Sequence, residues 1–155
     1  MPDTFEAVTR KLTENETAIG HLYELFSVTY PLDAELWTRL AQDEHQHAEW
    51  IRQAAEAAEP EQRKQSPLSI RLVAIEAMIQ HVGSIAERCR RKELTRINAL
   101  ALGRDLENSL LESKLLGALS AGAARLAGLE NALVRSTADH RRSLAEALDR
   151  VRQRP

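Results

Sequence analysis

Residues 36–51 read LWTRLAQDEHQHAEWI. At helical spacing Leu36, Leu40, Glu44, His47, Ala48 and Ile51 fall in steps of three and four, so they share one face of an α-helix. That face is apolar except in its middle turn, where Glu44 and His47 stand side by side. A carboxylate and an imidazole on a buried stripe cost free energy unless something pairs them. Two readings are open. The pair satisfies itself at the edge of the stripe, or it belongs to a site whose other members lie elsewhere in the chain.

Upstream, Asp3 or Thr4 after Pro2 reads as a helix cap. The stripe Phe5, Val8, Leu12, Glu16, Ile19, Tyr23, Phe26, Tyr30 follows, with Glu16 its one charged member. Pro31 ends this helix and Asp33 can cap the next, so the first two helices form an antiparallel hairpin. Downstream, Pro60 and the polar EQRKQ stretch end the second helix, and Ser66-Pro67 opens a third. Its stripe, Leu68, Leu72, Ile75, Ile79, Val82, Ala86 and Cys89, carries no charge, and Glu76 and His81 lie beside it at the solvent edge. Thr95 caps a fourth helix with Ile97, Leu100, Gly103, Glu107, Leu111 and Ala118 on one face. After a turn at Ser120-Ala121-Gly122 comes a last stripe: Leu126, Leu129, Leu133, Thr137, His140, Leu144, Leu148, Val151. The helices are expected at about 4–29, 34–58, 67–92, 96–119 and 124–152, in a single domain over residues 1–155.

Composition agrees. Apolar residues make up 43% of the chain, charged residues 28% and aromatics 4%, the profile of a soluble helical domain. A net charge of −2 gives no pull toward nucleic acid or an anionic membrane, and neither is expected as a partner. The single cysteine, Cys89, excludes an internal disulfide and a Cys-x-x-Cys metal knuckle, and its place on a stripe makes it a core residue. MPDTFEAVTR holds no apolar stretch, so no signal peptide is expected, no run reaches a membrane span, and the expected location is cytoplasmic.

The two hairpins repeat a pattern. Glu16 precedes His47 by 31 positions and Glu107 precedes His140 by 33. Counted from Pro31 and Gly122, these residues and Glu44 sit roughly 20–27 Å from their turns at the helical rise per residue. A full-length third helix is expected to return the chain along the bundle and put both turns at one end. Glu16, Glu44, His47, Glu107 and His140 then converge at mid-bundle. Three carboxylates in a dry core call for neutralisation, and carboxylate with imidazole suits iron, manganese or zinc. A metal-free hydrogen-bonded core is the alternative.

With these residues in view, the chain resembles the ferritin-like superfamily, in its rubrerythrin branch. The resemblance rests on Glu16-x6-Tyr23, on Glu44-x-x-His47 followed by Ala48-Glu49, on Glu107 in DLENSLLE and on His140. It implies an all-α, ferritin-like antiparallel four-helix bundle with an additional long crossover helix. It makes Glu16 and Glu107 terminal ligands of an iron pair, Glu44 a bridge, His47 and His140 imidazole ligands, and Tyr23 a tyrosine of the catalytic site, with Tyr30 a further phenol. Thr137 stands where the family has a second bridging glutamate, and Lys114 where it has a second tyrosine. The four cysteines of a rubredoxin domain are absent from this sequence.

The expected function is rubrerythrin-like binding of one or two ions, iron first with manganese or zinc as alternatives, and reaction with peroxide or oxygen. An external electron donor is then required, and a homodimer is a further expectation. The reading from another class is a non-catalytic helical module that has lost a complete di-metal site. A third is a haem bundle with His47 and His140 as axial ligands, which leaves the three acids unexplained.

Overall fold

The computed structural model describes residues 4–64, 71–108 and 124–154. Among these residues there is no strand. The helices are α1 (Phe5–Thr29), α2 (Ala34–Ala57), α3 (Pro60–Lys64), α4 (Leu72–Arg90), α5 (Arg96–Glu107) and α6 (Ala124–Gln153), with a 3₁₀ turn at Pro31–Asp33. No described helix is long and apolar enough to cross a membrane.

Local chemistry sets the helix ends. Thr4 caps α1, its Oγ1 accepting from the Ala7 N–H at 3.1 Å. Thr95 and Asn98 form a reciprocal capping box at the start of α5, at 3.1 and 3.0 Å. α4 stops at Arg90, two residues short of the expected end. Lys92 there takes a left-handed φ of 61° and the Glu93 N–H closes onto the Arg88 carbonyl at 3.0 Å. Asp33 does not cap α2. Its carboxylate instead takes two hydrogen bonds from Arg96, at 2.6 and 2.7 Å, because a bidentate guanidinium is the stronger partner. Pro60–Lys64, read as a helix stop, forms the short α3. Residues 67–70 of the third expected helix, 109–119 of the fourth and the turn at 120–122 lie outside the described residues.

Every member of the α1 stripe is buried. On α2 the face is shifted by one position at its start. Trp37 is fully buried and Leu36 half-buried, since the larger ring takes the interior place. Gly103 of α5 makes room for it, because a Cβ there would stand 2.9 Å from Trp37 Cη2. Ile97 is 40% exposed and leaves the α5 face. Cys89 is buried, while Glu76 and His81 are exposed.

The core falls into two apolar clusters. One, near the 3₁₀ turn, holds Tyr23, Phe26, Trp37, Leu40, Val82, Ile85, Cys89, Leu100, Leu144 and Leu148 among others. The other, at the far end, holds Phe5, Val8, Leu12, Ile51, Ala54, Ile75 and Leu133. α4 spans both, from Ile75 to Cys89. It delivers the chain to the 3₁₀ turn, where Arg96 meets Asp33 and the Tyr30 hydroxyl donates to the Leu94 carbonyl at 3.0 Å. The expected placement of both turns at one end involves residues 120–122, outside the described residues; the described helices give the direction of α5 and α6. One traverse by α4 starts the second helix pair beside the first turn, so α5 runs away from it and α6 runs back toward it. The levels still coincide because the polar residues lie near the middle of the bundle. Glu16, Glu44, His47, Thr137 and His140 each fall, along their helices, between residues of the two clusters.

Candidate metal centre

Four helices supply the polar layer. α1 brings Glu16, α2 brings Glu44 and His47, α5 brings Glu107, and α6 brings Thr137 and His140. None is more than 5% exposed. His47 Nδ1 faces Glu44 at 3.5 Å and Glu16 at 3.6 Å. His140 Nδ1 faces Glu44 at 3.1 Å and Glu107 at 3.2 Å. Glu44 therefore stands between the two imidazoles. The rings stack with centroids 5.3 Å apart and planes at 23°.

The outer ring nitrogens have other partners. His47 Nε2 lies 2.7 Å from Ser136 Oγ, and His140 Nε2 lies 3.0 Å from Asp43 Oδ2 and 3.4 Å from the same Ser136. Tyr23 donates its phenol to Glu107 Oε1 at 2.7 Å, and Asn15 donates to Glu16 Oε1 at 3.3 Å. Tyr30 lies away from the cluster, beside Leu94 and Cys89.

Burial, and then the neighbouring Glu44 carboxylate, raise Glu16 to about 8. Burial pulls the His47 imidazole down, but Glu16 and Glu44 outweigh it and hold it at about 10. The same opposition at His140, with Glu107 and Glu44 as the acids, gives about 11. Burial and the Glu107 charge push the Tyr23 phenol well above its usual value. The metal-free cluster is thus biased toward holding protons, which a cation would displace.

The residues fit a cation. Glu44, His47 and His140 each offer a ligand atom within 4.8 Å of the others. His47 Nδ1 and Glu44 Oε1 are buried with no hydrogen-bond partner, although each has an opposite charge within ion-pair reach. Both Nδ1 atoms face carboxylates while both Nε2 atoms are held from outside, the arrangement that fixes a ligand imidazole. Thr137 is buried in this layer, and its Oγ1 has no hydrogen-bond partner. The stacked rings do not suit haem, whose two axial imidazoles approach iron end-on from opposite sides.

Three contributors escape a reading by stripes. Asn15 and Asp43 each precede a stripe acid and so fall off the periodic face. Ser136 lies one turn before His140, and that spacing was the only signal for it. A second group with metal-ligand chemistry, His21, Glu24 and His45, lies outside the core. Comparisons of the chain with protein-family models, with curated proteins and with solved structures returned no match.

Proposed function

We propose that this chain is a rubrerythrin-like, ferritin-like four-helix bundle that binds iron at Glu16, Glu44, His47, Glu107 and His140 and reacts with peroxide or oxygen. Manganese and zinc are lesser occupants of the same donors. The observation that carries the reading is the pair of inward Nδ1 atoms set among three buried carboxylates, with His47 Nδ1 and Glu44 Oε1 lacking hydrogen bonds. Bound iron would supply a Lewis acid and electrons inside a site closed to water.

The chain's own residues prepare that chemistry. Glu16 with His47, and Glu107 with His140, would hold opposite sides, and Glu44 would serve both. Asp43 and Ser136 fix the imidazoles through Nε2. Tyr23 keeps its proton and orients Glu107 by donating to it.

The experiment is elemental analysis of the full chain loaded with ferrous ion under anaerobic conditions, followed by peroxide addition. Stoichiometric iron and its oxidation support the reading. A chain that retains no iron, manganese or zinc after loading overturns it. The result would then favour the non-catalytic module, a reading that the ion pairs already closed around both imidazoles support.

A further inference from the structure

Helix α2 turns Glu44 and His47 inward, but His45 between them points out, across the α1–α2 hairpin. It meets His21 and Glu24, which are three residues apart on one side of α1. His45 Nε2 lies 2.8 Å from Glu24 Oε1, and the rings of His21 and His45 are 5.4 Å apart. One ligand atom from each of the three residues falls within 4.8 Å of the other two.

Gly20 builds the seat for this group. A Cβ at position 20 would stand 2.8 Å from His45 Cε1 and 3.0 Å from Nε2. The imidazole therefore lies against bare helix backbone, a position no other residue type would leave open. The side chains of His45 and Glu24 are 37% and 55% exposed, so a cation can arrive from solvent without opening the core.

We propose that His21, Glu24 and His45 form a second, surface metal site for a borderline divalent cation, with Zn²⁺ as the preferred occupant. Two imidazoles and one carboxylate with a fourth position open to water make a three-ligand zinc set. Calcium and magnesium prefer all-oxygen shells, so this donor set selects against them. The cation clamps α1 to α2 outside the hairpin whose inner face carries Glu16, Glu44 and His47. It differs from the core cluster in exposure and in having fewer carboxylates, and it does not depend on the core binding iron.

The test is Zn²⁺ titration of the chelator-treated full chain, followed through the imidazole Cε1–H resonances. His21→Gln and His45→Gln assign the surface signals separately from those of His47 and His140. Zn²⁺ is expected to move the His21 and His45 signals together at one equivalent. Competition with a chromophoric chelator should show His21→Ala and His45→Ala each weakening that binding at least about tenfold, since losing even an outer partner of a ligand costs that much. Gly20→Ala should weaken it while the helix content stays unchanged. Surface signals that stay still while Zn²⁺ binds elsewhere, or an affinity unchanged in both alanine variants, overturn the proposal. Movement of the His47 and His140 signals reports on the core site alone, so the two sites succeed or fail separately.

Discussion

The cluster draws on two helix pairs, α1 with α2 and α5 with α6, and the pairs are unequal. The first supplies two carboxylates and an imidazole, while the second supplies one carboxylate, one imidazole and Thr137 where Glu44 stands in the first. His47 sits 3.5 and 3.6 Å from acids of its own pair. His140 sits 3.2 Å from its own Glu107 and 3.1 Å from the borrowed Glu44. A single carboxylate thus serves both halves. The layer is asymmetric in charge although the two pairs agree in level.

The largest effect should come from removing what the halves share. Glu44→Ala together with His47→Ala should abolish metal binding in the core, as read by calorimetry with ferrous or manganous ion on a chain that also carries His21→Ala and His45→Ala. In the metal-free chain Glu44→Ala alone should cost about 3–5 kcal/mol, the range for removing one partner of a buried ion pair. Denaturant unfolding measures this. A Glu44→Ala chain as stable as its parent would mean that Glu44 does not hold the two imidazoles.

Next in size is an attempt to make the halves equal. Two dications set against Glu16, Glu44 and Glu107 leave a net positive charge in a dry layer, which is costly, whereas one dication is balanced when Glu16, raised to about 8, keeps its proton. With His21 and His45 replaced by alanine to remove the surface donors, the chain should therefore hold close to one cation in the core, and the same chain with Thr137→Glu close to two. The same substitution should lower the metal-free melting midpoint, because it buries a fourth carboxyl group, and metal should restore it. Elemental analysis of identically loaded chains decides. A tightly bound pair in the core without Thr137→Glu removes Thr137 as the cause of the asymmetry.

A smaller effect comes from pH. Glu16 at about 8 and the imidazoles at about 10 and 11 are all raised in the folded chain. The native state then binds more protons than the unfolded one, so stability falls as pH rises. For Glu16 the loss runs from its ordinary value near 4.5 up to about 8. For the imidazoles the favourable pairing is complete below about 6.5 and lost through about 10–11. The metal-free melting midpoint should drop between pH 5 and pH 9. Cation at a hundred times its dissociation constant should add about 2.7 kcal/mol, or about 5–11 °C, and should oppose the drop because it displaces the same protons. Melts at several pH values with and without manganous ion test this. A metal-free midpoint that climbs across that range would mean that the folded chain binds fewer protons than the unfolded one.

Much of this layer was legible in the sequence because helical period carries burial directly. Every stripe residue from Phe5 to Tyr30 is buried, and a charge that interrupts such a stripe has nowhere to go but the core. The shared level followed from the rise per residue only within a hairpin; between the hairpins it holds because the polar residues lie mid-helix, not because the turns share an end. Direction was misread. Periodicity is the same whichever way a helix runs, and only contacts such as Asp33 with Arg96 show that α5 starts at the first turn. The shift from Leu36 to Trp37 was hidden because adjacent large apolar residues compete for one interior place, and Gly103 across the core decides between them. Asp43 and Ser136 were invisible to a stripe reading, since both act from its edge.

Those two edge residues give the finest comparison. The outer nitrogen of His47 rests on a neutral hydroxyl, Ser136, at 2.7 Å, while that of His140 rests on the Asp43 carboxylate at 3.0 Å. Once a cation takes Nδ1, each Nε2–H can donate outward, and an ionised acceptor makes the stronger bond and the more basic ligand. Asp43→Asn should therefore weaken metal binding about 10–100-fold, and Ser136→Ala by the lower end of that range or less. The Asp43 side chain is 41% exposed, so salt screens part of its effect. Chelator competition at low and high ionic strength separates the two. The penalty for Asp43→Asn should shrink as salt is added, and that for Ser136→Ala should stay constant. Equal penalties with equal salt dependence would show that the two imidazoles are held alike and that the asymmetry ends at Thr137.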